Sequence, residues 1–359
     1  YPLLEYKRQT FTVGPLHLHV MPSKTYKTNT LLVYVRPPLR KENVTMRAIL
    51  PHVLQSATEK FPSRQQIRSY LDDLYGATLH VDVAKKGENH LMNFRMEIAN
   101  EKFLSNSSPL LEKGLELFSS VILSPKVENG VFDKEIVEGE KRTLKQKLSS
   151  VYDDKMRYAN KRLTEEMCEG EPFGLYVLGD EADIPKIDEK NLFEYYQTVL
   201  KEDQFDLFIV GDVQVDEMKR LVENYFHDFT NYGERTINQK SNDQKLERKP
   251  REVIEEQDVQ QGKLHIGYRT NTTYGDEDYF ALQVFNGIFG AYSHSKLFIN
   301  VREKASLAYY AASRIESHKG LLIVMSGIES GKFDKTTEII DKQMEAMKNG
   351  DFTDDDIIQ

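Results

Sequence analysis

The stretch Ser295-Lys296-Leu297-Phe298-Ile299-Asn300-Val301-Arg302-Glu303-Lys304-Ala305-Ser306-Leu307-Ala308-Tyr309-Tyr310 joins two patterns. Its first half has helical spacing, with Leu297, Ile299 and Val301 apolar and charges at Arg302, Glu303 and Lys304. The second half, from Leu307 to Ser313, is small, aromatic and strand-like. An arginine at a helix end and a tyrosine at the start of the next strand therefore stand seven residues apart. Such a corner can aim a guanidinium and a phenol at one extended ligand. It can equally be architecture: a cation near a helix C-terminus and a half-buried tyrosine.

Outward from this corner the pattern repeats. Before it come a strand over 263–268 and a helix over 276–289; the corner helix spans 295–303. After it come strands over 307–315 and 320–328 and a helix over 335–348. At an offset of 230, Tyr75-Gly76-Ala77-Thr78-Leu79 meets Ala305-Ser306-Leu307-Ala308-Tyr309, and Ile98 to Phe103 meets Ile328 to Phe333. The first copy reads as a strand over 29–36, helices over 42–59 and 63–76, strands over 78–84 and 90–98, and a helix over 110–123. An additional strand is read at 16–22. Ser63 is the expected N-cap of its helix and Gly76 the stop. Pro51 should kink or locally break the 42–59 helix. A long charged helical region over 131–170, a helix over 191–200, a buried strand over 205–211 and a helix over 215–225 complete this half.

The expected fold is α+β: two tandem homologous domains, each a mainly antiparallel sheet packed with helices. The first covers 1–230, a polar linker 231–258, and the second 259–359. The second pattern stops early, so the expectation is a truncated second domain lacking its last helices and a strand.

Composition narrows the function. The 359 residues carry 48 Lys+Arg against 57 Asp+Glu, a net charge of −9. That balance disfavours non-specific binding to nucleic acid or an anionic membrane. No apolar run is long enough to span a bilayer, and no cleavable signal is expected from the opening Tyr1-Pro2-Leu3-Leu4-Glu5. The one cysteine, Cys168, excludes an intrachain disulfide and a multi-Cys zinc site. A cytoplasmic location is the expectation. His17 and His19 share one strand face, and no third ligand follows nearby.

The tandem units, the segment 205–213 and the Arg-x6-Tyr corner together resemble the pitrilysin-type zinc metallopeptidases. The likeness is to the short-chain bacterial branch similar to mitochondrial processing peptidase. Its pieces are Pro62-Ser63 to Leu74-Tyr75-Gly76-Ala77, Gly179-Asp180-Glu181 with Ile184, Val210-Gly211-Asp212-Val213, and the corner itself. Active members carry an inverted His-x-x-Glu-His motif: two histidines bind zinc and the glutamate polarises water. Alignment on Ala57-Thr58 puts those five positions at Ala48, Ile49, Leu50, Pro51 and His52, so only His52 is retained. Glu140 matches the first acidic position of the later helix, and Lys147 stands where the ligand glutamate belongs. A shifted alignment could offer Glu138 or Glu140 as ligand, still without a base and a second histidine. If the alignment holds, Ala48, His52 and Lys147 lie near one another. Alanine has no donor, proline takes no proton, and a lysine repels the cation.

By the same resemblance, Arg302 and Tyr309 match the substrate-binding pair that holds the peptide backbone and stabilises the oxyanion. The implied function is a non-catalytic, peptide-binding subunit of a heterodimeric zinc peptidase. It has no catalytic residue, metal or cofactor of its own, and zinc is expected in the partner. The implied partners are an unfolded peptide and a zinc-bearing paralogous subunit, or a second copy in isolation. The alternative is a stand-alone peptide-binding or structural homologue. A third reading is an active zinc enzyme drawing ligands from His17, His19 or His90, which the ligand spacing disfavours.

Overall fold

The computed structural model describes residues 8–103, 109–235 and 249–358. In chain order its elements are β1 (Gln9–Val13), β2 (Leu16–Pro22), β3 (Thr28–Arg36), α1 (Val44–Ser56), α2 (Arg64–Asp73), β4 (Thr78–Lys86), β5 (Asn89–Ala99) and α3 (Leu110–Leu123). There follow the short ribbon strands β6 (Val127–Glu128) and β7 (Val131–Phe132), then α4 (Lys134–Asp153), α5 (Lys155–Met167), α6 (Glu189–Glu202), β8 (Gln204–Gly211) and α7 (Val215–Tyr225). The rest is β9 (Gln261–Arg269), α8 (Tyr279–Asn286), the π-helical turns Gly287–Ala291 and Phe298–Lys304, β10 (Ala308–Glu316), β11 (Leu321–Glu329), α9 (Phe333–Lys348) and α10 (Asp354–Ile358).

The described residues form two compact units: 8–150 with 175–235, and 151–174 with 249–358. The sequence boundary at 230 had counted 151–174 with the first half. Part of the linker read over 231–258 lies outside the described residues; 249–258 carries no helix or strand.

The first unit is a six-stranded sheet in the order β1-β2-β8-β3-β5-β4. Only β2 and β8 run parallel. Alternate residues of these strands, among them Leu16, Leu18, Val33, Val35, Phe94, Met96, Leu207 and Ile209, enter one core with α1, α3, α6 and α7. That is the period-two burial of a sheet covered by helices. The break expected at Pro51 is absent, and α1 is one helix from Val44 to Ser56. Pro51 removes the bond to the Arg47 carbonyl. Ten of the thirteen residues of α1 are buried, so packing rather than propensity holds the helix together. Ser63 caps α2 as expected, its hydroxyl accepting from the Gln66 N–H at 3.2 Å. The single helical region read over 131–170 is two helices. The Asp154 side chain accepts from the Arg157 N–H at 3.2 Å and starts α5 anew.

The second unit holds the three-stranded antiparallel sheet β10-β11-β9. One face packs on the π-helical turns and α9 through Leu264, Val324, Ile328, Ile340 and Met344. The other face receives α5. A side chain at Gly267 would strike Met167, so glycine permits that close approach. Arg162 of α5 pairs with Glu165, Glu166 and Glu255, and Arg269 of β9 pairs with Glu171.

The internal repeat is real. β4 and β10 begin at Thr78 and Ala308, and β5 and β11 end at Ala99 and Glu329, each 230 apart. The neighbour orders β3-β5-β4 and β9-β11-β10 correspond. Both copies turn into the third-listed strand through left-handed residues, Tyr75 and Gly76 in one and Ser306 in the other.

A buried guanidinium anchors α1. Arg47 is fully buried. It donates to Asp203 at 2.6 Å, His90 Nδ1 at 3.0 Å, Tyr195 at 3.1 Å and the Val35 and His90 carbonyls at 3.1 and 3.2 Å. Removing one partner strands a buried charge. Asp203→Ala should therefore lower stability by about 3–5 kcal/mol, read as a drop in the urea midpoint without loss of cooperativity.

Candidate functional site

The positions that match a zinc motif lie on α1 and α4 of the first unit. Ala48 and Pro51 are buried, and His52 is partly exposed. Arg64 ties the end of α1 to α4: it donates to Ser56 Oγ at 3.2 Å and pairs with Glu140 at 2.5 Å. Lys147 lies two turns further along α4, and its charge acts on His52. Burial, then Lys147, pulls the His52 imidazole down to about 4, while Asp82 of β4 pushes it up. The Lys147 charge is thus felt at His52.

This donor set does not fit zinc. Ala48 offers a methyl, Pro51 a ring nitrogen without a lone pair to give and Lys147 an ammonium, so the set supplies one imidazole where zinc needs three protein donors or more. Among the described residues, no group of three or more His, Cys, Asp or Glu is placed to hold a metal. Two of the other candidate histidines are engaged. His19 Nε2 bonds Asp206 at 2.9 Å, and its Nδ1 accepts from Arg8 at 3.1 Å. His90 is buried, accepting from Arg47 and donating from Nε2 to the Val177 carbonyl at 2.9 Å. Burial and the Arg47 charge draw His90 down to about 4 as well.

Beside α1 lies β4, the outer strand of its sheet. Gln55 of α1 donates to the Leu79 carbonyl at 2.8 Å, so that carbonyl points away from β5. Alternation along the strand turns the main-chain groups of Val81 and Val83 toward the same open edge. Nothing in the sequence pattern had marked this edge.

The second unit carries Arg302 and Tyr309, and both side chains are exposed. Arg302 sits in the last turn of Phe298–Lys304, its guanidinium over the Phe298 ring at 4.6 Å from the centroid. The Leu307 N–H bonds the Val301 carbonyl at 3.2 Å and fixes the corner between the two residues. No hydrogen bond joins Arg302 to Tyr309 among the described contacts. Tyr309 occupies a β-bulge: Ala308 faces Ile328 and Tyr310 faces Gly327, leaving Tyr309 as the extra residue. Burial confirms the slip, for Ala308 and Ala311 both enter the core. Tyr309 and Tyr310 therefore share the opposite face, and the Tyr309 hydroxyl lies 3.5 Å from Glu329 Oε1. The adjacent tyrosines in an otherwise alternating strand were the available signal for this bulge.

His52 provides a direct check on the α1–α4 geometry. Its folded value lies below the unfolded 6.5, so protons favour the unfolded chain. The stability this group permits is complete above pH 6.5 and declines as pH falls toward 4. Lys147→Met removes one lowering influence. By NMR titration the His52 midpoint should rise but stay below 6.5, since burial is the larger cause. An unmoved midpoint would place Lys147 away from His52.

Residues 186–359 match the family described as "Peptidase M16 inactive domain". A Bacillus subtilis (strain 168) protein described as "Probable inactive metalloprotease YmfF" is 52% identical over 347 residues, 96% of this chain and 80% of the relative. A more distant relative from the same organism, "Uncharacterized zinc protease YmxG", is 22% identical over 65% of this chain and 56% of its own length. Among solved structures, a conserved protein from Enterococcus faecalis V583 superposes with a TM-score of 0.87 at 34% identity, covering 98% of this chain and 82% of that one. A peptidase M16 inactive domain from Pseudomonas fluorescens shares the fold, with a TM-score of 0.76 at 17% identity over 97% of this chain and 81% of its own. The chain belongs to the M16 metallopeptidase family, as an inactive-metalloprotease-like member.

Proposed function

We propose that this chain is a non-catalytic, peptide-binding subunit that presents Arg302 and Tyr309 to a zinc-bearing partner of the same family. The contrast between the two units carries the reading. In the first, Ala48, Pro51 and Lys147 replace the chemistry of hydrolysis. In the second, a guanidinium stacked on Phe298 and a phenol lifted by a bulge remain exposed, with no ion pair to Arg302 among the described residues. A guanidinium and a phenol so placed donate to a peptide carbonyl and to charge developing on it. The partner supplies the metal; this chain supplies orientation and donors. A cytoplasmic setting is part of the same proposal. No described helix is long and apolar enough to cross a membrane.

The open edge of β4 supports a second reading, a peptide-binding homologue that works without a peptidase partner. An extended peptide can add to such an edge through main-chain hydrogen bonds alone.

A reconstituted assay separates the two. This chain is mixed with a subunit bearing an intact His-x-x-Glu-His, and turnover of an unfolded peptide is followed. Loss of one preorganised donor reduces turnover about 100- to 1,000-fold. Arg302→Ala and Tyr309→Phe should each do so while size-exclusion chromatography still shows the assembled pair. Full turnover in both variants would make the corner architecture and leave the second reading in front.

A further inference from the structure

We propose that Glu329 reads a basic side chain on the peptide held at Tyr309. This rests on the peptide-binding reading and names the peptide chemistry the site prefers. Glu329 ends β11 and is exposed. It makes no ion pair among the described residues, and its one described side-chain contact with another side chain is the 3.5 Å approach of the Tyr309 hydroxyl. That distance is at the outer limit of a hydrogen bond, so the phenol is free to turn to a ligand and the carboxylate is left without a counter-charge.

The bulge makes the juxtaposition. Without the extra residue, strict alternation would send Tyr310 into the core and leave Tyr309 opposite Gly327. With it, Tyr310 lies against Gly327, where any added side chain would strike its ring, and Tyr309 extends past it to Glu329. Lys263, the nearest cation on this face of β9, sits over the Tyr310 ring at 5.1 Å from the centroid. Gln261, directly across from Glu329, is neutral.

The occupant follows from position and charge. β10 is the outer strand of its sheet, so an extended peptide can pair along it. Glu329 then lies about two strand spacings from the peptide, roughly 9.6 Å. Long Lys and Arg stems span that distance across the tyrosine rings while keeping the charged head in water. The chain's net charge of −9 works in the same direction.

The test is a binding series on the full chain by fluorescence anisotropy. Unstructured peptides identical except at one position, which carries Lys, norleucine or Glu in turn, are compared as that position is walked along the peptide. At one position the Lys peptide should bind about two- to five-fold tighter than the norleucine peptide, the size set by an exposed ion pair, and the preference should fade in high salt. Glu329→Gln should abolish the preference while leaving the norleucine affinity unchanged. Glu329→Lys should shift it toward the Glu peptide. A Lys preference that survives both substitutions, or no preference in the native chain, overturns the role of Glu329 and leaves peptide binding standing. Absence of binding by every peptide overturns the peptide-binding reading together with this inference.

Discussion

The position of α1 depends on one guanidinium. Arg47 is taken wholly out of water, and a charge there persists only when its donors are satisfied. Its partners come from β3, the start of β5, α6 and the residue before β8, so one side chain joins sheet and helices. It also sets the rotation of α1 about its axis. Ala48 and His52 follow one and five positions later, one turn apart on a single stripe. The two residues read against a metal motif therefore stand on one face of α1.

Two features of this region follow from its packing. Pro51 lies within a helix, where it removes a main-chain bond, and the dense burial of α1 compensates. Burial first, and then the Lys147 charge, holds the His52 imidazole below its ordinary value. An active site would reject an ammonium there because it competes with the metal for the same field. At the corner of the second unit the opposite trend holds. Phe298 supports Arg302 from below, a bulge turns Tyr309 outward, and the Leu307–Val301 bond clasps the turn. These local features hold both side chains exposed.

Much of this was legible in the sequence. The repeat at an offset of 230 placed β4, β5, β10 and β11 within a residue or two, because strand alternation and the turn residues between strands are local signals. The reading of Ala48, Pro51 and His52 as a degenerate motif rests on residue identity alone. What failed were features set by tertiary contact. The continuity of α1 through Pro51 depends on neighbours far away in sequence. The assignment of 151–174 to the second unit depends on Arg162, Glu255, Glu171 and Arg269 finding one another. The break at Asp154 was readable in principle, since an Asp three residues before an N–H it can cap is a local signal; charge along the region masked it. The bulge at Tyr309 and the approach of its hydroxyl to Glu329 needed the register of β10 on β11.

The central claim is that the first unit keeps the fold of a zinc site without its donor set. Elemental analysis of the purified chain after equilibration with zinc and removal of excess tests it most directly. The account predicts zinc well below one equivalent, unchanged by His52→Ala. One tightly held equivalent that disappears in His52→Ala would contradict it.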